Sequence, residues 1–328
     1  IEPHGDAGFR PRPHHVVAYA NGTSATINAD RHRGPRVEVP KPHGVFRIVL
    51  LGGSTTFGWG ADDDETIDAH LRTLLDSRFP GRSIEVVNLA FDGYDSYQLL
   101  ERMRTDGVRL DPDVVLVNSG VNDVRGAWDR DLRDGDGRTM LYQATLDQLR
   151  LEQKRGGPTP WTRAKHTFYL ARVPGWVTAQ SRGTNGGAAE LPPEYYFDAV
   201  DHFEHNLDRI AELADELGAV VLFSTPPPSL LTQYEPDTPR RLSYWLYDAR
   251  STQAYRDSLG VRMRRLVEER HESGSRIGYV PHDPLEPELF LDDAHLTSAG
   301  NERVARGFLE ALIPFVEAWD AEELRASG

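Results

Sequence analysis

Two distant segments of the chain hold residue types that could together carry out acyl transfer. Ser54 lies in "LGGSTTFG", directly after an apolar run, and His295 lies in "DDAH", three residues after Asp292. A serine hydroxyl is a poor nucleophile until a base takes its proton, and a third group must orient that base. In a turn, this spacing can bring the Asp292 carboxylate to one imidazole nitrogen while the other faces outward. The pattern therefore predicts a serine nucleophile, a histidine base and an orienting carboxylate.

The glycines around Ser54 do not fit the other common uses of a glycine-rich turn. A P-loop needs a lysine after its last glycine, but Trp59 follows Gly58. A dinucleotide fingerprint fails because Gly58-Trp59-Gly60 is followed by Asp63 where a third glycine is required. The Gly-x-Ser-x-Gly elbow of other hydrolases is also missing around Ser54. Ser54 is left at the carboxyl end of a first strand, where a doubly wound sheet places reactive groups.

The choice of base and carboxylate rests on position. The chain has 12 histidines, most of them in the N-terminal arm or on predicted helix faces, where a solvated or structural role is expected. His295 instead occupies the turn before the last helix, whose predicted N-cap is Thr297. Asp293 competes with Asp292 for the orienting role, and the spacing favours Asp292.

Acyl transfer also needs hydrogen-bond donors for the oxyanion that develops when serine attacks a carbonyl. Gly93 in "NLAFDGYDS" lacks a side chain, so its N–H can approach a ligand, although the glycine can also serve a positive φ angle. Asn122 in "NSGVND" offers a side-chain amide. Its neighbour Asp123 is interpreted as a residue that holds loops together.

Short apolar runs without alternation predict the strands that position these residues, because such runs suit strands buried on both faces. The runs are "RIVLLGG", "IEVVNLA", "DVVLVNSG", "AVVLFSTPPP" and "RIGYVP". Helical patterns alternate with them over residues 65–79, 96–105, 196–217, 254–269 and 297–319. This alternation predicts a doubly wound α/β sandwich with a parallel sheet.

Composition excludes several classes of function. The 328 residues contain 39% hydrophobic and 27% charged residues, which is typical of a globular protein. A formal charge of −14, from 37 Lys and Arg against 51 Asp and Glu, disfavours nucleic acid as a partner. The lack of cysteine excludes disulfides and thiolate chemistry. No apolar stretch approaches the roughly 18 residues that a membrane span needs.

The chemical residues together resemble a known family. Ser54 in "LGGSTTFG", Gly93 in "FDGYDS", Asn122 in "GVND" and Asp292 with His295 in "DDAH" are similar, in this order, to the blocks of the SGNH, or GDSL-like, hydrolases. The resemblance implies that Ser54 is the nucleophile, His295 the general base and then acid, and Asp292 the orienting carboxylate. It also implies an oxyanion hole formed by Ser54 N–H, Gly93 N–H and the Asn122 side chain. The first block reads Gly-Gly-Ser-Thr instead of Gly-Asp-Ser-Leu, which removes an acidic neighbour but keeps the serine.

The resemblance also implies the architecture. It predicts a flavodoxin-like three-layer α/β/α sandwich with a mostly parallel five-stranded sheet. Residues 45–320 are expected to form the hydrolase domain, with insertions at about 126–193 and 229–255. Residues 1–44, rich in Pro, Gly and His, are expected to form an extended arm packed on this core, with one short strand in "HHVVAYA". Residues 321–328 are expected to be a C-terminal tail.

The resulting expectation is a serine esterase that needs no cofactor or metal. By analogy with the family, the substrate is expected to carry a short acyl group, such as acetyl, on a carbohydrate or small natural product. Two alternatives stay open: an O-acyltransferase that moves the acyl group to a polysaccharide or metabolite hydroxyl, and a non-catalytic carbohydrate-binding protein. The sequence leaves the oligomeric state open. An arm of the type "INADRHRGPR…KPHGVFRI" resembles bacterial exported or membrane-tethered enzymes, with a cytoplasmic location as the alternative.

Two further groups of residues have both a functional and a structural interpretation. The carboxylates of residues 62–65 could suggest a cation site, but a solvated first helical turn is favoured. A set of aromatic residues could line a sugar- or acyl-binding cleft or pack the insertions equally well. These are Trp59, Trp128, Trp161, Trp176, Tyr244, Trp245 and Tyr247.

Overall fold

The structure is a computed structural model that describes residues 1–4, 8–123, 194–228, 249–292 and 294–326. The strands in these ranges are β1 (Glu2–His4), β2 (Gly8–Arg10), β3 (His15–Ala18), β4 (Ser24–Ile27), β5 (Val45–Gly52), β6 (Ser83–Asn88), β7 (Val114–Asn118), β8 (Val220–Ser224) and β9 (Ile277–Tyr279). The α-helices are α1 (Ser54–Phe57), α2 (Ile67–Arg78), α3 (Ser96–Arg102), α4 (Glu194–Leu217), α5 (Ala249–Glu272) and α6 (Ser298–Ala326).

The central sheet has five strands in the order β6-β5-β7-β8-β9, and each neighbouring pair is parallel. Every residue of β5, β7 and β8 is buried, as expected for strands covered on both faces. This is the strand order of flavodoxin-like sheets: successive strands are first added on one side of the first strand and then on the other, while all strands stay parallel. The predicted fold class is confirmed.

Successive side chains of each central strand pack into two separate apolar cores, one on each face of the sheet. On β5, Val49 and Leu51 point to one core, whereas Ile48 and Leu50 point to the other. Helices α3, α4 and α5 cover the first core, and α2 and α6 cover the second. The molecule is therefore a three-layer α/β/α sandwich in the described ranges.

The strand register brings the ends of β5, β7 and β8 to one edge of the sheet. Gly52 pairs with Asn118, and Asn118 pairs with Ser224, so the three strands end side by side. The segments that follow β5, β7 and β8 therefore leave the sheet at the same place. Ser54 and Asn122 both follow directly after these ends.

The N-terminal arm has more structure than the single predicted strand. It forms two antiparallel hairpins, β1 with β2 and β3 with β4. Isolated bridges join Ile27 to Arg33 and Arg33 to Asn88, so the arm is attached to the end of β6.

Helix boundaries differ from the sequence-based prediction most at the start of α5 and at the end of α6. Helix α5 begins at Ala249 instead of residue 254, and α6 continues to Ala326 instead of ending at Trp319. The extension of α6 has a physical reason, since "AEELRA" contains good helix formers and no glycine or proline. Asp320 in this extension also pairs with Arg82, which ties the helix end to the core.

The predicted insertion at 126–193 and most of the one at 229–255 lie outside the described residues. Among the described helices, none combines the length and apolar character required to cross a membrane.

Candidate active site

Ser54 is the first residue of the short helix α1, immediately beyond the end of β5. Gly53 precedes it in an extended conformation, with φ of −87° and ψ of −155°, and turns the chain from strand to helix. The first N–H groups of a helix have no partner within it, so the Ser54 N–H is available to a ligand. The turn is tight because a Cβ on Gly52 would lie 2.2 Å from Thr56 Oγ1.

The Ser54 hydroxyl lies at the end of a hydrogen-bonded chain of three side chains. Ser54 Oγ is 2.8 Å from His295 Nε2, and His295 Nδ1 is 2.7 Å from Asp292 Oδ2. The other carboxylate oxygen, Asp292 Oδ1, accepts the backbone N–H groups of Ala294 and His295 at 2.9 and 2.8 Å. The structure thus brings together the three residues that the sequence singles out, although Ser54 and His295 are 241 positions apart.

The surroundings of Asp292 favour its ionised form. Burial alone would raise its pKa, but the hydrogen bonds from the His295 ring and from two backbone N–H groups outweigh burial, and the pKa of Asp292 lies below its ordinary value. An ionised carboxylate accepts a hydrogen bond from the Nδ1–H group of His295, which leaves Nε2 as an acceptor. In that tautomer the Ser54 hydroxyl donates to His295 Nε2, the arrangement needed for proton removal from serine.

Hydrogen bonds to backbone carbonyls hold the serine turn against the loop that carries His295. Thr55 Oγ1 donates to Ala294 O at 3.1 Å, which joins the neighbours of Ser54 and His295 directly. Leu291 N donates to His295 O at 2.7 Å and closes the loop on itself. The predicted N-cap is confirmed as well, because Thr297 Oγ1 accepts Gly300 N at 3.3 Å in the first turn of α6.

Besides the Ser54 N–H group, the two other candidate oxyanion donors, Gly93 and Asn122, lie on the loops after β6 and β7. Asn122 Nδ2 donates to Tyr94 O at 2.9 Å, and an amide nitrogen carries a second hydrogen that this bond does not use. Asn122 also lies close to the serine turn, since a Cβ on Gly53 would be 2.6 Å from Nδ2. Gly93, next to Tyr94, has a φ of +79°, a backbone conformation that favours glycine.

Asp123 has the loop-holding contacts predicted for it. It is buried, accepts Ser96 N at 3.0 Å and accepts Ser119 Oγ at 3.3 Å. Asn206 Nδ2 on α4 continues this network by donating to Ser96 Oγ at 3.0 Å. The network fixes the loop that carries Asn122 to two helices.

Two of the four carboxylates at residues 62–65, those of Asp62 and Asp63, bind the arm, which corrects the prediction of a solvated helical turn. Asp62 Oδ1 accepts Ser24 N at 2.8 Å, and Asp63 Oδ1 accepts Thr26 N at 3.0 Å. Helix α2 begins only at Ile67, with Thr66 as its N-cap. Within the ranges that the structure describes, no group of three or more His, Asp or Glu side chains could hold a metal ion.

Sequence reasoning missed Thr55 and Arg33, whose partners near the site are mainly backbone carbonyls. Such contacts leave no recognisable spacing of residue types, so no sequence signal pointed to them. Of the predicted cleft aromatics, Trp59 contacts His295 with ring centroids 4.4 Å apart. The other six, and Asp293, lie outside the described residues.

Comparison with known proteins places these features in a family. The sequence matches the GDSL-like Lipase/Acylhydrolase family over residues 50–303, and no curated protein matches it at a significant level. Among solved structures, a GDSL-like lipase from Bacteroides thetaiotaomicron is 17% identical, with 82% of this chain and 88% of that chain covered and a TM-score of 0.46. The acetylxylan esterase Axe2 from Geobacillus stearothermophilus is 18% identical, with 81% and 93% covered and a TM-score of 0.45.

The family match spans well over half of the sequence and contains Ser54, Asn122, Asp292 and His295. The chain therefore belongs to the GDSL-like lipase/acylhydrolase family and is a carboxylic ester hydrolase.

Proposed function

We propose that the chain is a serine esterase that removes a short acyl group, with acetyl as the first candidate, from a carbohydrate or a small natural product. The observation that carries the proposal is the continuous hydrogen-bonded chain from Ser54 Oγ through His295 to Asp292. Family membership indicates the reaction class, and the hydrogen bonds among these three side chains provide a nucleophile with its base.

In the first step, Ser54 Oγ attacks the ester carbonyl carbon while its proton passes to His295 Nε2. The oxyanion accepts hydrogen bonds from Ser54 N–H, Gly93 N–H and Asn122 Nδ2. One such donor typically lowers the barrier by about 3 kcal/mol. Collapse of the tetrahedral intermediate breaks the bond to the alcohol oxygen, which takes the proton from His295 and leaves an acyl-enzyme.

In the second step, His295 Nε2 takes a proton from water as the water oxygen attacks the acyl carbon. A second oxyanion forms in the same hole, and the Ser54 oxygen leaves with the proton returned by His295. Asp292 stays ionised and stabilises the imidazolium in both steps. Its lowered pKa supports this role, because a protonated Asp292 could not stabilise a positive ring.

The pocket beside Ser54 supports a short acyl group. Its described walls include Gly53, Tyr94, Asn118, Asn122 and Pro226, and they enclose about 10 Å³. A volume of about 10 to 15 Å³ on this measure holds a single water-sized group. Asn118 in this wall is 2% exposed, and its amide atoms lack a hydrogen-bond partner among the described residues. Within these described walls, a short acyl group such as acetyl fits better than a long alkyl chain.

The test compares Ser54→Ala with Ser273→Ala, an exposed serine outside the site, on p-nitrophenyl acetate. We expect Ser54→Ala to lose at least about 10⁴-fold in kcat, with an unchanged melting temperature, because the nucleophile is lost. The Ser273→Ala control is expected to keep wild-type activity. Activity of Ser54→Ala at the wild-type level would contradict the nucleophile assignment.

The substrate part of the proposal is tested with aryl esters of increasing acyl length, followed by acetylated sugars. We expect kcat/KM to be highest for acetyl and to fall with chain length. A preference for long chains would overturn the short-acyl assignment. Acyl transfer to a sugar hydroxyl that exceeds hydrolysis under matched conditions would identify an acyltransferase instead.

A further inference from the structure

The Gly58-Trp59-Gly60 segment places an indole ring against the imidazole of His295. The ring centroids are 4.4 Å apart, and the planes differ by 35°. Trp59 is half-buried and is also tied to the serine turn, because its backbone N donates to Ser54 O at 3.0 Å. A single residue thus connects the backbone of Ser54 to the ring of His295.

The N-terminal arm also contacts Trp59 and the residue that follows it. The Tyr19 ring packs on Trp59 with centroids 5.4 Å apart. The carbonyl of Gly60 accepts Asn21 Nδ2 at 2.7 Å and Thr23 Oγ1 at 2.9 Å. Trp59 is therefore packed between the β3–β4 hairpin and the catalytic-site loop.

Arg33 of the arm fixes the backbone of the same segment. Its guanidinium is completely buried and donates to the carbonyls of Phe57, Gly58 and Ala61 at 3.1, 2.7 and 2.6 Å. It also pairs with Asp63 at 2.7 Å. Both residues adjacent to Trp59 in the chain are thus bonded to the arm, which fixes the backbone from which the indole projects.

The indole face suits the charge that appears on His295. During acylation the imidazole takes the serine proton and becomes a cation, and an aromatic face attracts a cation held against it. Asp292 and Ser54 are hydrogen-bonded to the two ring nitrogens, so the ring face is the surface left for such a contact. The attraction acts only when the ring is charged, and it therefore favours the transition state over the ground state.

We propose that Trp59, held by Tyr19 and Arg33 of the N-terminal arm, is a positioning residue that keeps the His295 ring in place and stabilises its protonated form. This inference rests on the proposed function of Ser54 and His295. It makes the arm a part of the active site instead of an external support.

The first test measures kcat and KM for Trp59→Phe and Trp59→Leu on p-nitrophenyl acetate. The matched control is Trp319→Leu, which removes an indole packed on Phe46 in the second core. We expect Trp59→Leu to lower kcat by about three- to thirtyfold with KM within about twofold, since a cation–π contact is worth that range. Trp59→Phe is expected to recover part of the loss, and Trp319→Leu to keep wild-type kcat.

Two kinetic results would overturn the inference. An unchanged kcat in folded Trp59→Leu would show that the ring does not act on His295. A raised KM with unchanged kcat would assign Trp59 to substrate binding instead. If Trp59→Leu does not fold, the comparison of Trp59→Phe with wild type decides: a lower kcat at constant KM supports the inference, and equal kcat contradicts it.

The second test changes the arm alone. Tyr19→Ala removes the ring that packs on Trp59, Tyr19→Phe keeps it, and Val16→Ala changes an exposed residue of the same hairpin. We expect a severalfold lower kcat for Tyr19→Ala only, because the Tyr19 hydroxyl has no hydrogen-bond partner among the described residues. Equal kcat for Tyr19→Ala and Val16→Ala would remove the arm from the inference.

The two levels of the proposal are distinguishable in one experiment. If wild type hydrolyses the ester and Ser54→Ala does not, the proposed function holds and the Trp59 series tests the inference separately. If Ser54→Ala remains active, the proposed function fails and the role of Trp59 fails with it.

Discussion

At the scale of single residues, Asp292 is a firmly held member of the site. It accepts three hydrogen bonds, two from backbone N–H groups and one from the His295 ring. These bonds lower its pKa although it is buried, so it is ionised at neutral pH. Asp292 therefore fixes both the position and the tautomer of His295.

We expect Asp292→Asn to slow ester hydrolysis strongly, but less than His295→Ala does. Asparagine can keep the backbone contacts, yet its amide favours the wrong imidazole tautomer and gives no negative charge. Losses of about 10⁴-fold for the carboxylate and about 10⁶-fold for the base are typical of such triads. The measurement is kcat on p-nitrophenyl acetate. A larger loss for Asp292→Asn than for His295→Ala would contradict the assigned roles, and a larger loss for Asp293→Asn would move the orienting role to Asp293.

The three catalytic candidates can be predicted from the sequence because their chemistry depends on residue types and on spacings along the chain. Asp292 and His295 are close along the chain, and Ser54 follows an apolar run into a glycine pair. Arg33 could not be predicted, since its partners are mostly carbonyls that every residue possesses. Its role follows only from three-dimensional contacts.

At the scale of elements, the strand-to-helix turn at Gly53 allows the Asn122 side chain to lie close to the backbone that carries Ser54. Its φ of −87° is open to any residue, so the need for glycine is steric. A Cβ there would lie 2.6 Å from Asn122 Nδ2 and 3.1 Å from Tyr94 O. The first distance is too short for a real contact, and Asn122 would have to move.

We therefore expect Gly53→Ala to lower kcat by about 10²- to 10³-fold, the usual effect of losing one oxyanion donor, while the protein still folds. Gly260→Ala is the matched control: it lies inside α5, its added Cβ meets a flexible Arg264 side chain at 3.4 Å, and activity should not change. Kinetics on p-nitrophenyl acetate give the comparison. Wild-type kcat for Gly53→Ala would show that Asn122 need not stay in its observed position.

The attachment of the arm is a second property of elements, and it predicts a stability effect. We expect Arg33→Lys to reduce the free energy of unfolding by about 3 kcal/mol, because lysine has too few donors to replace the buried guanidinium fork. Arg33 also donates to Ser24 O, so the loss would loosen the β3–β4 hairpin.

The measurement is the free energy of unfolding in urea, with Arg36→Lys as the control variant. Arg36 is a neighbouring arm residue whose ion pair with Asp30 is exposed. The control is expected to show no measurable change. Equal midpoints for the two variants would mean that the arm does not depend on Arg33.

The elements themselves were predictable to different degrees. Each strand of the central sheet was predicted from its apolar run, since burial on both faces leaves a clear pattern. Helix ends were less predictable: α6 passes Trp319 because nothing in the following residues stops it and Arg82 pairs with Asp320. The β1–β2 hairpin was missed because its strands are three residues each and lack an apolar pattern.

At the scale of the whole molecule, stability is coupled to pH through His282, a residue that the mechanism does not use. His282 packs edge-on against Phe308 of α6 with ring centroids 5.0 Å apart, and its Nε2 is buried without a hydrogen-bond partner among the described residues. Burial lowers the pKa of His282 to about 4. Below pH 6.5 the unfolded chain therefore binds a proton that the folded chain does not, and stability falls as the pH falls toward 4.

The free energy of unfolding of wild type is expected to fall when the pH is lowered from 8 to 5. For His282→Phe we expect this fall to be smaller, by on the order of 1 to 2 kcal/mol. Urea unfolding at the two pH values gives the difference for each protein. At pH 8 the histidine is neutral in both states, so that measurement isolates the packing change. An identical pH dependence for the two proteins would contradict a buried neutral His282.

The whole fold also explains how residues so far apart in sequence meet. The parallel sheet places the end of β5 beside those of its neighbours, and the loop before α6 returns to the same edge with His295. Alternating strands and helices predict this edge as the location of the site. The 2.8 Å distance between Ser54 Oγ and His295 Nε2 depends on contacts such as Thr55 with Ala294, which the sequence pattern does not reveal.

The central claim is that His295 activates the hydroxyl of Ser54. The most direct measurement is labelling by a fluorophosphonate, with the adduct mapped by peptide mass spectrometry in wild type, Ser54→Ala and His295→Ala. We expect a single adduct on Ser54 in wild type, none in Ser54→Ala, and labelling at least about 10³-fold slower in His295→Ala. An adduct on another residue, or equally fast labelling without His295, would contradict the claim.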